Sequence, residues 1–297
     1  MSAVEVITQW EGAGNLVELG EDEVFVVDVP AEHDGDAPPL LVLHGFPTSS
    51  IDYAQVVPSL RADRRVVLLD LPGYGQSAKP DRAYSLFAAA DLVEALVAKL
   101  GIDEVDLLTH DMGDSVGGEL LARGIDGKLG FAIRRRVLTN GSIYLELAHL
   151  TPGQQFLLSL PDEAIAPDAA PDVDALFVAL TATFAPPDSV ASHPDADHVR
   201  AAADLIVVSG GNRLLARLIR YVEERRVHEG RWTGAIEQHP APLTIVWGDL
   251  DPIAVWEMTA RLVERRPDAM LTRLEGVGHY PMVEAPDAFA KAVLAGL

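Results

Sequence analysis

Six short apolar runs recur along the chain, each followed by a turn, and this rhythm constrains the fold more than any other feature. The runs are Leu40-Leu41-Val42-Leu43, Val66-Val67-Leu68-Leu69, Val105-Asp106-Leu107-Leu108, Arg136-Val137-Leu138-Thr139, Leu243-Thr244-Ile245-Val246-Trp247 and Met270-Leu271-Thr272-Arg273-Leu274. Near-continuous runs rich in Val, Ile and Leu suit parallel strands buried on both faces. Helix-like stretches at 50–60, 86–100, 114–123, 255–266 and 287–294 fall between or after them. Strand–helix alternation predicts an α/β fold with a doubly wound, mostly parallel sheet. Residues 4–29 alternate in part and are expected to add antiparallel edge strands.

The alternation breaks at 143–235, where Pro/Asp-rich turns separate helical patterns such as 175–184 and 212–226. We expect a core made of residues 1–142 and 236–297, with a helical cap of 143–235 inserted between two core strands. Such a module would lie over the strand ends where open α/β sheets bind ligands.

Composition removes several classes of function. The net charge of −22 repels nucleic acid and anionic membrane surfaces. The absence of Cys excludes disulfides, thiolate metal sites and a Cys nucleophile. No apolar run is long enough to span a bilayer. Residues 1–20 carry Glu5, Glu11 and Glu18 without an apolar stretch, so no secretory leader is expected, and the expected location is cytoplasmic. No cofactor fingerprint or metal-ligand spacing appears, so the expected chemistry is cofactor-free. The oligomeric state is not readable.

Residues 109–117 hold two overlapping elbows. Gly113-Asp114-Ser115-Val116-Gly117 spells the serine-hydrolase pattern G-x-S-x-G, which would make Ser115 the nucleophile of an esterase. Thr109-His110-Asp111-Met112-Gly113 spells the same elbow with Asp111 in that place. An elbow nucleophile sits at the sharp turn directly after its strand. The apolar run ends at Leu108 or Thr109, so the turn falls on 110–112 and favours Asp111. Ser115 would then lie about a turn into the following helix, where Gly117 and Gly118 are expected to permit close helix–sheet packing.

These motifs resemble the α/β-hydrolase superfamily, in its branch with a carboxylate nucleophile: epoxide hydrolases and haloalkane dehalogenases. His44-Gly45-Phe46-Pro47 resembles the family's oxyanion loop, and Trp247-Gly248-Asp249-Leu250-Asp251-Pro252 its acid loop. Gly278-His279-Tyr280-Pro281 resembles its catalytic-His loop, while 70–77 resembles a structural loop. The stretches 110–114, 139–143 and 221–232 are similar to mesoderm-specific-transcript-like hydrolases.

The resemblance implies Asp111 as nucleophile, His279 as the base that activates water and Asp251 as the acid that orients His279. Asp249 competes with Asp251, but the Gly-x-x-Asp spacing favours the latter. Asn140 stands where some dehalogenases place that acid. The backbone N–H groups of Phe46 and Met112 would hold the oxyanion. A carboxylate suits an sp³ carbon, because the alkyl ester it forms can be hydrolysed, whereas a Ser attack there would leave an inert ether. The expected substrate is a small apolar epoxide or alkyl halide, with water as co-substrate.

Epoxide opening needs an acid, and Tyr221 is the candidate. Tyr144 is a weaker second, while Trp232 and His110 are further pocket candidates. Met112 and Phe46 stand where dehalogenases carry halide-binding Trp and Asn, and neither side chain can donate. Epoxide hydrolysis is therefore favoured over dehalogenation. A catalytically silent binding relative is the remaining alternative.

Overall fold

The computed structural model describes residues 1–33 and 35–297. Eight strands form one sheet: β1 (Asn15–Leu19), β2 (Asp22–Val29), β3 (Leu40–Leu43), β4 (Val66–Leu69), β5 (Glu104–His110), β6 (Ala132–Thr139), β7 (Leu243–Gly248) and β8 (Met270–Leu274). Their order across the sheet is β1-β2-β4-β3-β5-β6-β7-β8. The pairs β1/β2 and β2/β4 are antiparallel, and every pair from β4 onward is parallel. Every residue of β3, β4 and β7 is buried, as their unbroken apolar character requires.

The helices are α1 (Ala3–Ala13), α2 (Val57–Leu60), α3 (Leu86–Lys99), α4 (Met112–Ile125), α5 (Pro152–Ser159), α6 (Val173–Thr181), α7 (Ala196–Val207), α8 (Leu215–Leu218), α9 (Tyr221–Gln238), α10 (Glu257–Arg265), α11 (Pro281–Glu284) and α12 (Pro286–Gly296). Five of them, α5 to α9, lie between β6 and β7, and none of the helices is long and apolar enough to cross a membrane among the described residues.

Three expectations are corrected. Residues 3–13 are helical rather than extended, because Ser2 and Glu5 form a reciprocal capping box at the start of α1. The stretch 212–226 is not one helix. It divides into the end of a 3₁₀ segment (Val208–Leu214), α8 and α9, with Ile219 and Arg220 between the two helices; the positive φ of Ser209 and Gly210 (55° and 76°) lies upstream, just after α7. The division expected at 235/236 falls inside α9, which is continuous and packs along α4.

The approach of α4 to its neighbours depends on missing side chains. A Cβ at Gly113 would stand 2.6 Å from the Leu43 carbonyl oxygen, and one at Gly117 would stand 2.9 Å from Thr109 Cγ2. Gly118 instead opens the other face of α4, where a Cβ would meet Trp232 of α9 at 2.9 Å. Only the first two serve helix–sheet packing.

Candidate active site

β5 runs through His110 and α4 begins at Met112, so Asp111 occupies the single residue between them. It takes φ 50° and ψ −116°, a costly region for a non-glycine residue that persists only where packing enforces it. A Cβ on Gly45 would lie 2.7 Å from Asp111 Cβ, so the loop after β3 closes over the carboxylate only because residue 45 is glycine.

The two carboxylate oxygens of Asp111 meet different partners. The Phe46 N–H donates to Oδ2 at 2.9 Å. Oδ1 faces His279 Nε2 at 3.9 Å. His279 Nδ1–H donates to Asp251 Oδ2 at 2.7 Å, which fixes the ring with Nε2 turned toward Asp111. All three side chains are buried. Met112 N–H, expected as a second oxyanion donor, makes no hydrogen bond to Asp111 among the described residues.

The acid itself is tightly held. Asp251 Oδ1 accepts from the N–H groups of Ile253 and Ala254 at 2.7 and 3.0 Å. Oδ2 also accepts from Asn140 Nδ2 at 2.8 Å. Asn140, at φ 43°, receives the Gly248 N–H on its own Oδ1 at 3.0 Å. A residue the sequence offered only as a non-acid thus ties the ends of β6 and β7 to Asp251. Asp249 is engaged elsewhere, with Arg273 and the Gly276 N–H.

Burial alone would lower the His279 imidazole. The charge and hydrogen bond of Asp251, supported by Asp111 and Glu284, outweigh it and push the ring up to about 9. Glu284, at the end of α11, was not anticipated. Its carboxylate accepts from the N–H groups of Ala185 (2.8 Å), Gly278 (2.9 Å) and Tyr280 (3.0 Å) and from Ser192 Oγ (2.8 Å). It therefore pins the His279 loop to residues 185–192, and the His279 N–H itself donates to the Thr183 carbonyl at 3.1 Å.

The oxyanion loop is braced from both sides. His44 Nε2 accepts the Leu71 N–H at 3.0 Å, so Nδ1 carries the proton and donates to the Gly45 carbonyl at 2.8 Å. Tyr280 Oη donates to the Phe46 carbonyl at 3.2 Å.

A cavity of about 230 Å³ opens over the site, lined by Phe46, His279 and Tyr280 below and by Leu157, Ile165, Leu176, Leu180 and Leu215 above. A smaller one of about 80 Å³ is lined by Tyr74, Met112, Leu218 and Tyr221. The Tyr221 ring lies 5.7 Å from that of Phe46, and burial, with the Asp111 charge next, pushes its hydroxyl well above the usual range.

The other pocket candidates sit elsewhere. Tyr144 donates to Glu237 at 2.9 Å with Arg261 stacked on its ring, so its hydroxyl is committed away from the cavity. Trp232 donates its indole N–H to Glu119 at 2.9 Å in the α4–α9 seam. His110 lines neither cavity: its Nε2 bonds to the His279 carbonyl at 2.8 Å, and burial drives its ring well below the usual range. Ser115 is buried inside α4 and its Oγ has no hydrogen-bond partner among the described residues, His rings included.

Residues 40–292 match the alpha/beta hydrolase family. Over 292 residues the chain is 41% identical to LipZ of Mycobacterium tuberculosis, provisionally named a hydrolase, covering 97% of this chain and 96% of that protein. It is 32% identical to the mesoderm-specific transcript protein of Mus musculus, across 86% of this chain and 77% of that one. Among solved structures, an alpha/beta hydrolase fold protein from Burkholderia ambifaria superposes with a TM-score of 0.70 at 26% identity, covering 95% and 99% of the two chains.

Proposed function

This chain belongs to the alpha/beta hydrolase family, and from that premise we propose that it is an epoxide hydrolase working through an alkyl ester of Asp111. One observation carries the reading. The side chain at the elbow is a carboxylate with one oxygen held by the Phe46 N–H and the other turned toward His279 Nε2. A carboxylate so held can attack an sp³ carbon with Oδ1 while Oδ2 waits in the oxyanion site.

In the first step Asp111 Oδ1 bonds to an epoxide carbon, the ring C–O bond breaks, and the ring oxygen takes a proton from Tyr221. In the second, water adds to the ester carbonyl and gives its proton to His279 Nε2. The negative charge then falls on Oδ2, at the Phe46 N–H. Collapse releases the diol, which takes its second proton from His279, and the other water proton, left on the regenerated Asp111 carboxyl, returns to the Tyr221 phenolate to restore the starting state. The ring must be neutral to accept the water proton. Ester formation removes the Asp111 charge, one of those that hold the proton on His279 at rest.

Two features favour an epoxide over an alkyl halide, and a third fits either. Tyr221 lies beside Phe46 at the site. The indole of Trp232, the candidate halide donor, is bound to Glu119. The apolar cavity wall suits a small hydrophobic substrate. Reaction at Ser115 lacks a base, since its hydroxyl has no partner within α4.

His279→Gln, incubated with styrene oxide and 1,2-epoxyhexane, should accumulate an adduct of the whole epoxide mass on Asp111. An adduct of an alkyl group without halide, formed only from 1-haloalkanes, would transfer the same triad to dehalogenation. Absence of any Asp111 adduct would overturn the ester mechanism.

A further inference from the structure

Arg225 is buried, and among the described residues its guanidinium makes no hydrogen bond or salt bridge; Nη1 is enclosed without a partner. The other buried arginines all have partners: Arg136 donates through Nη1 and Nη2 to the carbonyls of Ile236, His239 and Ala241, with only its Nε unpaired, Arg64 pairs with Asp106 at 2.7 Å, and Arg266 pairs with Asp268 at 2.6 Å. An unpaired buried cation costs several kcal/mol, so one that persists calls for a function.

Its position suggests which. α9 runs alongside α4 in the same direction, with Trp232 against Gly118 and His239 against Gly124. The same offset carries Arg225 level with Asp111. Arg225 also follows Tyr221 by four residues, so the two share a face of α9. The nearby carboxylates of α9 are turned elsewhere. Glu224 accepts from Ser85 Oγ and the Leu86 N–H, Glu223 pairs with Arg220, and Glu229 accepts the Leu145 N–H.

We propose that Arg225 is a positioning residue for the proton donor: its guanidinium holds the negative charge left on Tyr221 Oη when that hydroxyl protonates the opening epoxide. This rests on the epoxide reading above. The proton passes from Tyr221 Oη to the ring oxygen, and the charge that Asp111 gives up in forming the ester reappears on Tyr221, beside Arg225. At rest, burial and the Asp111 charge hold the Tyr221 proton on, while Arg225 works the other way. Esterification removes the opposing Asp111 charge when the donor must act. A cation on the same helix face takes the part of a second acidic hydroxyl; Tyr144, the other tyrosine considered, is bound to Glu237.

The test is a double-mutant cycle in the His279→Gln background, reading the single-turnover rate of Asp111 alkylation by styrene oxide. Tyr221→Phe should slow alkylation about 100-fold, in the range for a lost general acid. Arg225→Gln should slow it about 30-fold, and the double variant should be no slower than Tyr221→Phe within about threefold. Arg225→Lys, which keeps the charge, should stay within about tenfold of the parent. Multiplicative losses in the double variant, or no loss in Arg225→Gln, would overturn the role of Arg225. No adduct even with Arg225 intact would overturn the epoxide reading and this inference with it. If Arg225→Gln does not fold, Arg225→Lys decides: a loss as deep as that of Tyr221→Phe refutes the charge argument.

Discussion

Replacing Glu284 by Gln tests how far His279, the proposed base, depends on a residue outside the proposed triad. Three donors converge on Glu284 Oε2, from Ala185, Gly278 and Ser192, and one, the Tyr280 N–H, on Oε1. An amide can leave its oxygen facing the three, but its NH₂ then meets the Tyr280 N–H donor to donor. One charge-assisted bond is lost outright, at about 1.5–3 kcal/mol, and three become neutral and weaker. A total of about 3 kcal/mol follows, and a chain of 297 residues should melt about 5 °C lower. Calorimetry reads that shift. Trapping kinetics read the second effect. Glu284 pins the loop that carries His279, the base that the proposed mechanism needs only in the second half-reaction. Hydrolysis of the Asp111 ester should therefore slow more than its formation. A melting point within 1 °C of the parent, with both half-reactions unchanged, would refute the clamp.

Asp251→Asn removes the main charge that raises His279, so its imidazole should titrate well below 9 in NMR spectra, and ester should accumulate during turnover. Because the folded His279 value lies above the usual 6.5, its contribution to stability is complete below about pH 6.5 and is lost as pH rises through about 9. The melting-point gap between the parent and His279→Gln should narrow across that window, and a constant gap would contradict the assignment. Gly45→Ala should abolish alkylation while the chain still folds, because the new methyl carbon would sit 2.7 Å from Asp111 Cβ; retained activity would show that the loop can yield. Trp232→Phe should cost about 1–2 kcal/mol through the lost Glu119 bond yet leave alkylation within about threefold, and a deeper loss would return the indole to the site.

The framework of the fold was legible because buried parallel strands must be apolar throughout, and the six runs all became strands. The elbow register was legible for a related reason: the β5 run ends beside His110, which left Asp111 alone at the turn. The α1 helix was missed although Ser2 and Glu5 spell its cap, because partial alternation further along suggested strands for the whole segment. The break before α9 was hidden because Ile219 and Arg220, which separate α8 from α9, carry no helix-breaking signal and keep near-helical backbone angles. Asn140, Glu284 and Arg225 were invisible as site residues. Their roles depend on partners far away in sequence, or on the lack of any, and no local pattern encodes that. The same reason misplaced Tyr144 and Trp232: aromatic residues near a site look alike until their polar atoms find partners.

The helix α9 begins with Tyr221 against Phe46 and is riveted further along to α4 through Trp232 and Glu119. It therefore behaves as a fixed beam, while the roof of the larger cavity is supplied mostly by α5, α6 and the turns between them. Selection, or a protein engineer, can recut that roof for a longer, bulkier or more polar substrate without moving Tyr221, the proposed proton donor. Under the proposed mechanism, substrate range and proton delivery are thereby carried by separate parts, and one can drift while the other is conserved.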